Sequence, residues 1–137
     1  MKKVIYTCIT GGYDEVPKHL ITDSAWDYVL FTDSKDLIAR GTVGHWSVRP
    51  LSYNELTNVK NARWHKINSH RLFPEYDYSL WVDGNVSINT SAVFDKLNEF
   101  ISSDVRIAVP LHPTRSCVYQ EADTIKRLKI DSNKIVN

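Results

Sequence analysis

Apolar positions along this chain fall into two kinds of run. The first kind is short and continuous. "KKVIYTCIT" is rich in β-branched and aromatic residues and stops at Gly11-Gly12, which predicts a strand followed by a turn. "DYVLFTDS" repeats that arrangement, with an apolar centre and a polar tip at Thr32-Asp33-Ser34. "HWSVRPL" predicts a short third strand, and Pro50 limits how central it can be. "YSLWVD" is the next, "VSI" can extend it after a bend at Gly84, and "VRIAVPL" is the last.

The second kind follows helical spacing. Nothing between Glu55 and Leu72 breaks a helix, Asn54 is placed to cap it, and "FPEY" ends it, since proline disfavours helical geometry in the residue before it. "TSAVFDKLNEFI" sets Val93, Phe94, Leu97, Phe100 and Ile101 on one stripe. "CVYQEADTIKRLKI" does the same with Val118, Ala122, Ile125 and Leu128, charges opposite.

Strands alternating with helices, several of the strands apolar throughout, predict an α/β fold: a mostly parallel sheet with helices on both faces. Ligands of such sheets sit outside the carboxyl ends of the strands. The polar tips there are Thr10-Gly11-Gly12-Tyr13, Thr32-Asp33, Asp83-Gly84-Asn85 and His112.

Composition narrows the classes. The 137 residues suit one domain over 1–137, and 42% hydrophobic with 24% charged residues is ordinary globular usage. A net charge of +1 gives no support to a nucleic-acid partner. Cys8 and Cys117 have no metal spacing and make no disulfide framework, so a reduced, cytoplasmic setting is expected. The apolar stretch after Lys2-Lys3 is short, broken by threonines and followed by a glycine turn, which fits a first strand better than a signal peptide. No run is long enough to be a transmembrane segment.

Asp83 and Asn85 are the first candidates for chemistry. Alternate side chains at a strand end can aim oxygen atoms at one hard cation, while the glycine between them lets a phosphate approach. Asp, Gly and Asn are also the residues β-turns prefer, and the residues alone leave the two readings level. Arg63 and His70, seven apart, share a helix face flanked by Lys60 and Lys66. Such a face can bind phosphate, although a solvated basic surface is its commoner use. His112 before Pro113 offers a nitrogen ligand or a titrating group, and Glu121 a carboxylate, each weak alone. Tyr13-Asp14 and Asp33 could face a base and ribose, or serve only the turns. The chain has no Walker-type loop, no G-x-G-x-x-G, no G-x-S-x-G and no Cys/His nucleophile pair.

Four pieces occur in order: "YTCITGGYD"; Arg63, Lys66, His70, Phe73 and Pro74; "YSLWVDGN"; and His112 to Ala122, "HPTRSCVYQEA". Together they resemble the glycosyltransferase-like domain of the TOD1/MUCI70 family, from Tyr6 to about Leu128. The resemblance implies a Rossmann-like, GT-A-type nucleotide-sugar-binding fold. It also implies a donor, taken as a UDP-sugar, and a carbohydrate or other hydroxyl acceptor.

In such folds an Asp-x-Asp at a central strand end holds Mn²⁺ or Mg²⁺ against the donor diphosphate. Carried over, Asp83 takes the first position and Asn85 the second, where a neutral amide departs from the pattern. His112 would be a later metal or diphosphate contact. Thr10, Gly11, Tyr13 and Asp33 would hold the nucleoside, and Arg63, Lys66 and His70 the phosphate charge. Asp83 and Glu121 are the residues nominated for catalysis. The chain stops soon after the helix of residues 117–130, short of the acceptor-binding elements expected of a complete domain of this sort. A non-catalytic nucleotide-sugar-binding module and a metal-assisted hydrolase built on Asp83, His112 and Glu121 are the alternatives.

Overall fold

The computed structural model describes residues 1–12 and 15–108. Tyr13, Asp14, Cys117, His112, Glu121 and the helix expected from Cys117 onward lie outside them. The chain divides into two compact units, Met1–Phe94 and Asp95–Asn137, which are described separately.

The first unit is an α/β arrangement around a mixed five-stranded sheet, ordered β3-β4-β2-β1-β5. Strand β1 (Lys3–Ile9) pairs in parallel with β2 (Asp27–Thr32) and with β5 (Tyr78–Trp81), and β2 pairs in parallel with β4 (Trp46–Pro50). The two-residue β3 (Thr42–Val43) lies antiparallel on β4. It covers only Trp46 and Ser47, so the missing N–H of Pro50 costs that side of β4 no ladder bond.

Helix α1 (Lys35–Arg40) and β3 are not visible in the hydrophobic pattern, but α1 carries both end signals. Ser34 accepts from the Leu37 N–H, and Gly41, at φ 76°, closes the last turn with its own N–H on Leu37 and Ile38.

The long helix expected over 55–72 is two helices. α2 (Asn58–Ile67) is capped by Thr57 rather than Asn54, and α3 is the single turn Ser69–Leu72. The break is Asn68: its backbone N–H and its side-chain amide both donate to the Trp64 carbonyl, at 3.1 and 2.8 Å. That is the competition between an asparagine side chain and the helix ladder.

Register assigns the faces. Val4, Tyr6, Cys8, Val29 and Phe31 form one buried cluster with Phe73, packed by Ala62 and Leu72 from α2 and α3. The Tyr6 hydroxyl reaches the carbonyls of His65 and Lys66 on α2 (3.0 and 2.9 Å), and burial pushes its pKa up to about 12. Cys8 is a buried thiol, also raised to about 12 by burial, so it is an inert core residue. The opposite face carries Ile5, Tyr28, Leu30 and Trp46. The extended segment 15–26 packs there, with Pro17 held by Trp46 and the His19 ring tilted against the Trp46 indole.

After β5 the chain does not continue as a strand: residues 86–88, "VSI", form a strap whose Ile88 carbonyl accepts from the N–H groups of Leu20 and Ile21. Helix α4 (Ala92–Ser102) forms where its apolar stripe predicts, with Phe94 buried. In the second unit the helix ends at Ser102 and is followed by Asp104, whose φ of 56° is left-handed. Residues 105–108, expected to begin a strand, are not in one. Among the described residues no helix is long and apolar enough to cross a membrane.

Candidate functional site

Strand order locates a reversal. From β1 the chain steps outward to β2 and β4, then returns to the other side of β1 as β5. The strand order thus reverses at β1, where open α/β sheets hold ligands, and the segments leaving β1 and β5 come together again at Leu20, Ile21 and Ile88. An open cleft of about 400 Å³ lies between those segments, lined by residues 15–18 on one side and by Gly84, Asn85 and Ser87 on the other.

The β1 tip is rigidly braced. Gly11 donates its N–H to the carboxylate of Asp33 at the β2 tip, 3.2 Å to Oδ1 and 3.1 Å to Oδ2. Thr10, almost fully buried, donates its hydroxyl to the Asn58 carbonyl in the first turn of α2 at 2.9 Å. Gly11 and Gly12 have φ of 66° and 68°, a left-handed pair that β-carbon-bearing residues would resist. Three expected nucleotide contacts, Thr10, Gly11 and Asp33, thus sit together at the carboxyl ends of the adjacent strands β1 and β2. The fourth, Tyr13, lies outside the described residues.

The β5 tip is both a turn and a wall. Asp83 accepts from the Val86 N–H at 3.0 Å, closing a β-turn over Gly84-Asn85. The Asp83 carboxylate is exposed and folds back on Trp81, taking its indole N–H at 2.7 Å on Oδ1. Asn85 lines the cleft. The turn thus offers one carboxylate and one amide oxygen, and among the described residues Oδ2 of Asp83 takes no hydrogen bond. That suits a hard cation such as Mg²⁺ that keeps waters and substrate phosphates as its other ligands. Among the described residues no three His, Cys, Asp or Glu side chains come together to hold an ion unaided. His112, the expected third contact, lies outside them.

The basic helix face is distributed differently. α2 begins beside Thr10 and runs away from those strand ends, so Lys66 stands about 12 Å along the axis from Asn58 at 1.5 Å per residue. His70 belongs to α3, beyond the Asn68 break, and is exposed like Lys66. Arg63 is half-buried in the middle of α2. The seven-residue spacing therefore does not put Arg63 and His70 on one continuous helix.

What α2 does bury is polar. Asn61 and His65 are both fully inaccessible. Asn61 accepts from Leu56 N–H and donates to Asn54 Oδ1 and the Leu56 carbonyl, at 2.9 to 3.0 Å. His65 Nδ1 lies 2.7 Å from the Asn61 carbonyl, and Nε2 accepts from Ser52 N–H at 3.0 Å. A carbonyl partner and an N–H partner together fix the neutral tautomer with its proton on Nδ1. Burial accordingly lowers the pKa of His65, so it is a brace for the loop after β4 and not a proton shuttle.

Residue patterns gave no notice of Glu15, Lys18 and Ser87 in the cleft. Segment 15–26 has no periodicity, and the signal that could have marked it is positional: it leaves the first strand at the point where the strand order later reverses.

The model of the family described as TOD1/MUCI70, glycosyltransferase-like domain, matches residues 2–137. No curated protein and no solved structure matches the chain.

Proposed function

The chain belongs to the TOD1/MUCI70 family of glycosyltransferase-like domains, and from that premise we propose that it binds a nucleotide-sugar, a UDP-sugar, in the cleft between the exits of β1 and β5 and transfers the sugar to a hydroxyl acceptor. The observation that carries this reading is that cleft: it lies between the segments that leave two parallel-paired strands, with Gly84 and Asn85 in one wall. A GT-A-type arrangement is the reading under which the β1 and β2 tips, joined by Gly11 and Asp33, serve the same ligand.

In this reading the Thr10–Gly12 turn, held by Asp33 and Asn58, receives the nucleoside. Lys18 places a positive charge in the cleft wall for the departing diphosphate. Asp83 and Asn85 would hold Mn²⁺ or Mg²⁺, which when bound neutralises diphosphate charge. Among the described residues lining the cleft Glu15 is the one carboxylate, and it is placed to orient or deprotonate an acceptor hydroxyl. Glu121 and His112 keep the roles expected of them from the sequence, Glu121 in acid/base work or acceptor orientation and His112 as a metal or diphosphate contact.

One observation favours a second reading. Asn85 is neutral and Asp83 already accepts from Trp81, which weakens cation binding and suits a non-catalytic module that holds the nucleotide-sugar without transfer.

Thermal unfolding with UDP, with and without Mn²⁺, tests the shared claim. The expected result is a rise in Tm that Mn²⁺ enlarges and that Asp83→Ala loses, because a ligand of the folded state stabilises by mass action. No rise at millimolar UDP would refute nucleotide binding. Binding without turnover of any sugar donor would select the non-catalytic reading.

A further inference from the structure

The two walls of the cleft are joined at one side chain. His19 follows directly on the 15–18 wall, and its Nδ1 accepts the N–H of Ile88, at the end of the 84–88 wall, at 2.8 Å. The Ile88 carbonyl is held in turn by Leu20 and Ile21 N–H, at 3.0 and 3.2 Å. All three bonds connect the same two segments, and only the first depends on a side chain.

We propose that His19 is a positioning residue of the cleft: its Nδ1 sets the separation of the two walls by holding Ile88, and thereby the fit of the nucleotide diphosphate between Lys18 and Asn85. The inference rests on the cleft being the nucleotide site, and its test separates the two.

Three features make His19 specific to this task. It is buried, so no water competes freely for the Ile88 N–H. Its ring is wedged by aromatic neighbours, with centroids 5.0 Å to His45, 5.3 Å to Trp46 and 6.2 Å to Tyr28, which leaves the imidazole little freedom to rotate. Trp46 also donates its indole N–H to the Pro17 carbonyl at 2.9 Å, so the wall two residues upstream is pinned to β4. Because Nδ1 accepts, the neutral ring carries its proton on Nε2, which is buried and has no hydrogen-bond partner among the described residues.

A second proton would have to go on Nδ1, where it would oppose the Ile88 N–H and release the wall. The groups facing His19 do not favour that cation. From the β3–β4 turn comes His45, itself lowered by burial, and from β2 comes Tyr28, whose hydroxyl oxygen takes the Asp23 N–H. The 84–88 wall has no ionisable side chain. Asp83 stands at its base, and Glu15, Lys18 and Asp23 lie along the segment of His19 itself. Burial and the neighbouring His45 push the His19 pKa down to about 4. The clasp is therefore closed at neutral pH and opens only on strong acidification.

The experiment is amide hydrogen exchange by NMR at neutral pH on wild type, His19→Leu and His19→Asn, followed by UDP titration of each. Asparagine places a neutral acceptor near the position of Nδ1, and leucine fills the volume without one. Ile88 exchange is expected to accelerate tenfold or more in His19→Leu, with Lys18 and Ser87 amides shifted and the Val29 and Leu30 amides of β2 unchanged. His19→Asn should restore the wild-type rate, and UDP affinity should fall at least tenfold in the leucine variant and recover in the asparagine one. An unchanged Ile88 rate in His19→Leu, or acceleration of Ile88 and the β2 amides together, overturns the proposal by removing the clasp or by making His19 merely structural. Equal UDP affinity in all three proteins also overturns it. If Ile88 responds as expected while wild type binds no UDP, the nucleotide site is refuted and the wall spacing by His19 stands alone.

Discussion

Trp46→Ala is expected to destabilise the protein by about 3–5 kcal/mol, the range for emptying a fully buried aromatic site. Trp46 is 1% exposed and heads the largest fully buried side chains. It packs edge-on to Tyr28 at 5.8 Å and beside His19 and His45, on the sheet face that segment 15–26 covers. Removing it opens a cavity between that segment and the sheet and orphans the Pro17 carbonyl. Trp46→Phe keeps most of the packing and loses only the bond to Pro17, so about 1–3 kcal/mol is expected there. Urea unfolding reads both. An alanine variant within about 1 kcal/mol of wild type would show that this face is not the core the structure makes it.

The second large effect is at Asn61. Asn61→Ala should cost about 2–4 kcal/mol, because it empties a fully buried polar site and strands the part-buried N–H and carbonyl of Leu56 at once. Asn61→Asp tests the same network without a volume change: it sets a carboxylate oxygen against Asn54 Oδ1 and the Leu56 carbonyl, so it should be at least as damaging. A neutral outcome for the aspartate variant, by urea midpoint at pH 7, would contradict the hydrogen-bond assignment.

Acid should act through the neighbouring His65, together with His19 and His45. All three have folded pKa values lowered from 6.5, so the unfolded chain takes up protons first. Their contribution to stability is whole above about 6.5 and is lost as pH falls through the folded values.

These two sites also explain what could be read from the residues. β1, β2 and β5 were legible because their runs are apolar on both faces, and the strand ends at Gly11-Gly12 and Asp83-Gly84 carry turn residues. α2 was legible in existence but not in its limits. Asn54 looked like its cap, yet that side chain is taken by Asn61, and Thr57 caps instead, a choice made by a contact seven residues away. Its buried face could not be seen at all, since Asn61 and His65 are polar and a hydrophobic pattern passes over them. The α3 break at Asn68 turns on where one side-chain amide points. The family and the strand ends that carry Thr10, Gly11 and Asp33 were readable. The second cleft wall was not, because residues 15–18 have neither periodicity nor motif and acquire their place only when the strand order reverses.

The most direct test of the central claim is a map of backbone amide shifts during titration with UDP and Mg²⁺. Nucleotide binding between the exits of β1 and β5 predicts saturable shifts at Gly11, Gly12, Lys18, Gly84, Asn85 and Ser87, with the β3–β4 edge quiet. Saturable shifts confined to other surfaces, or none with millimolar UDP, would contradict it.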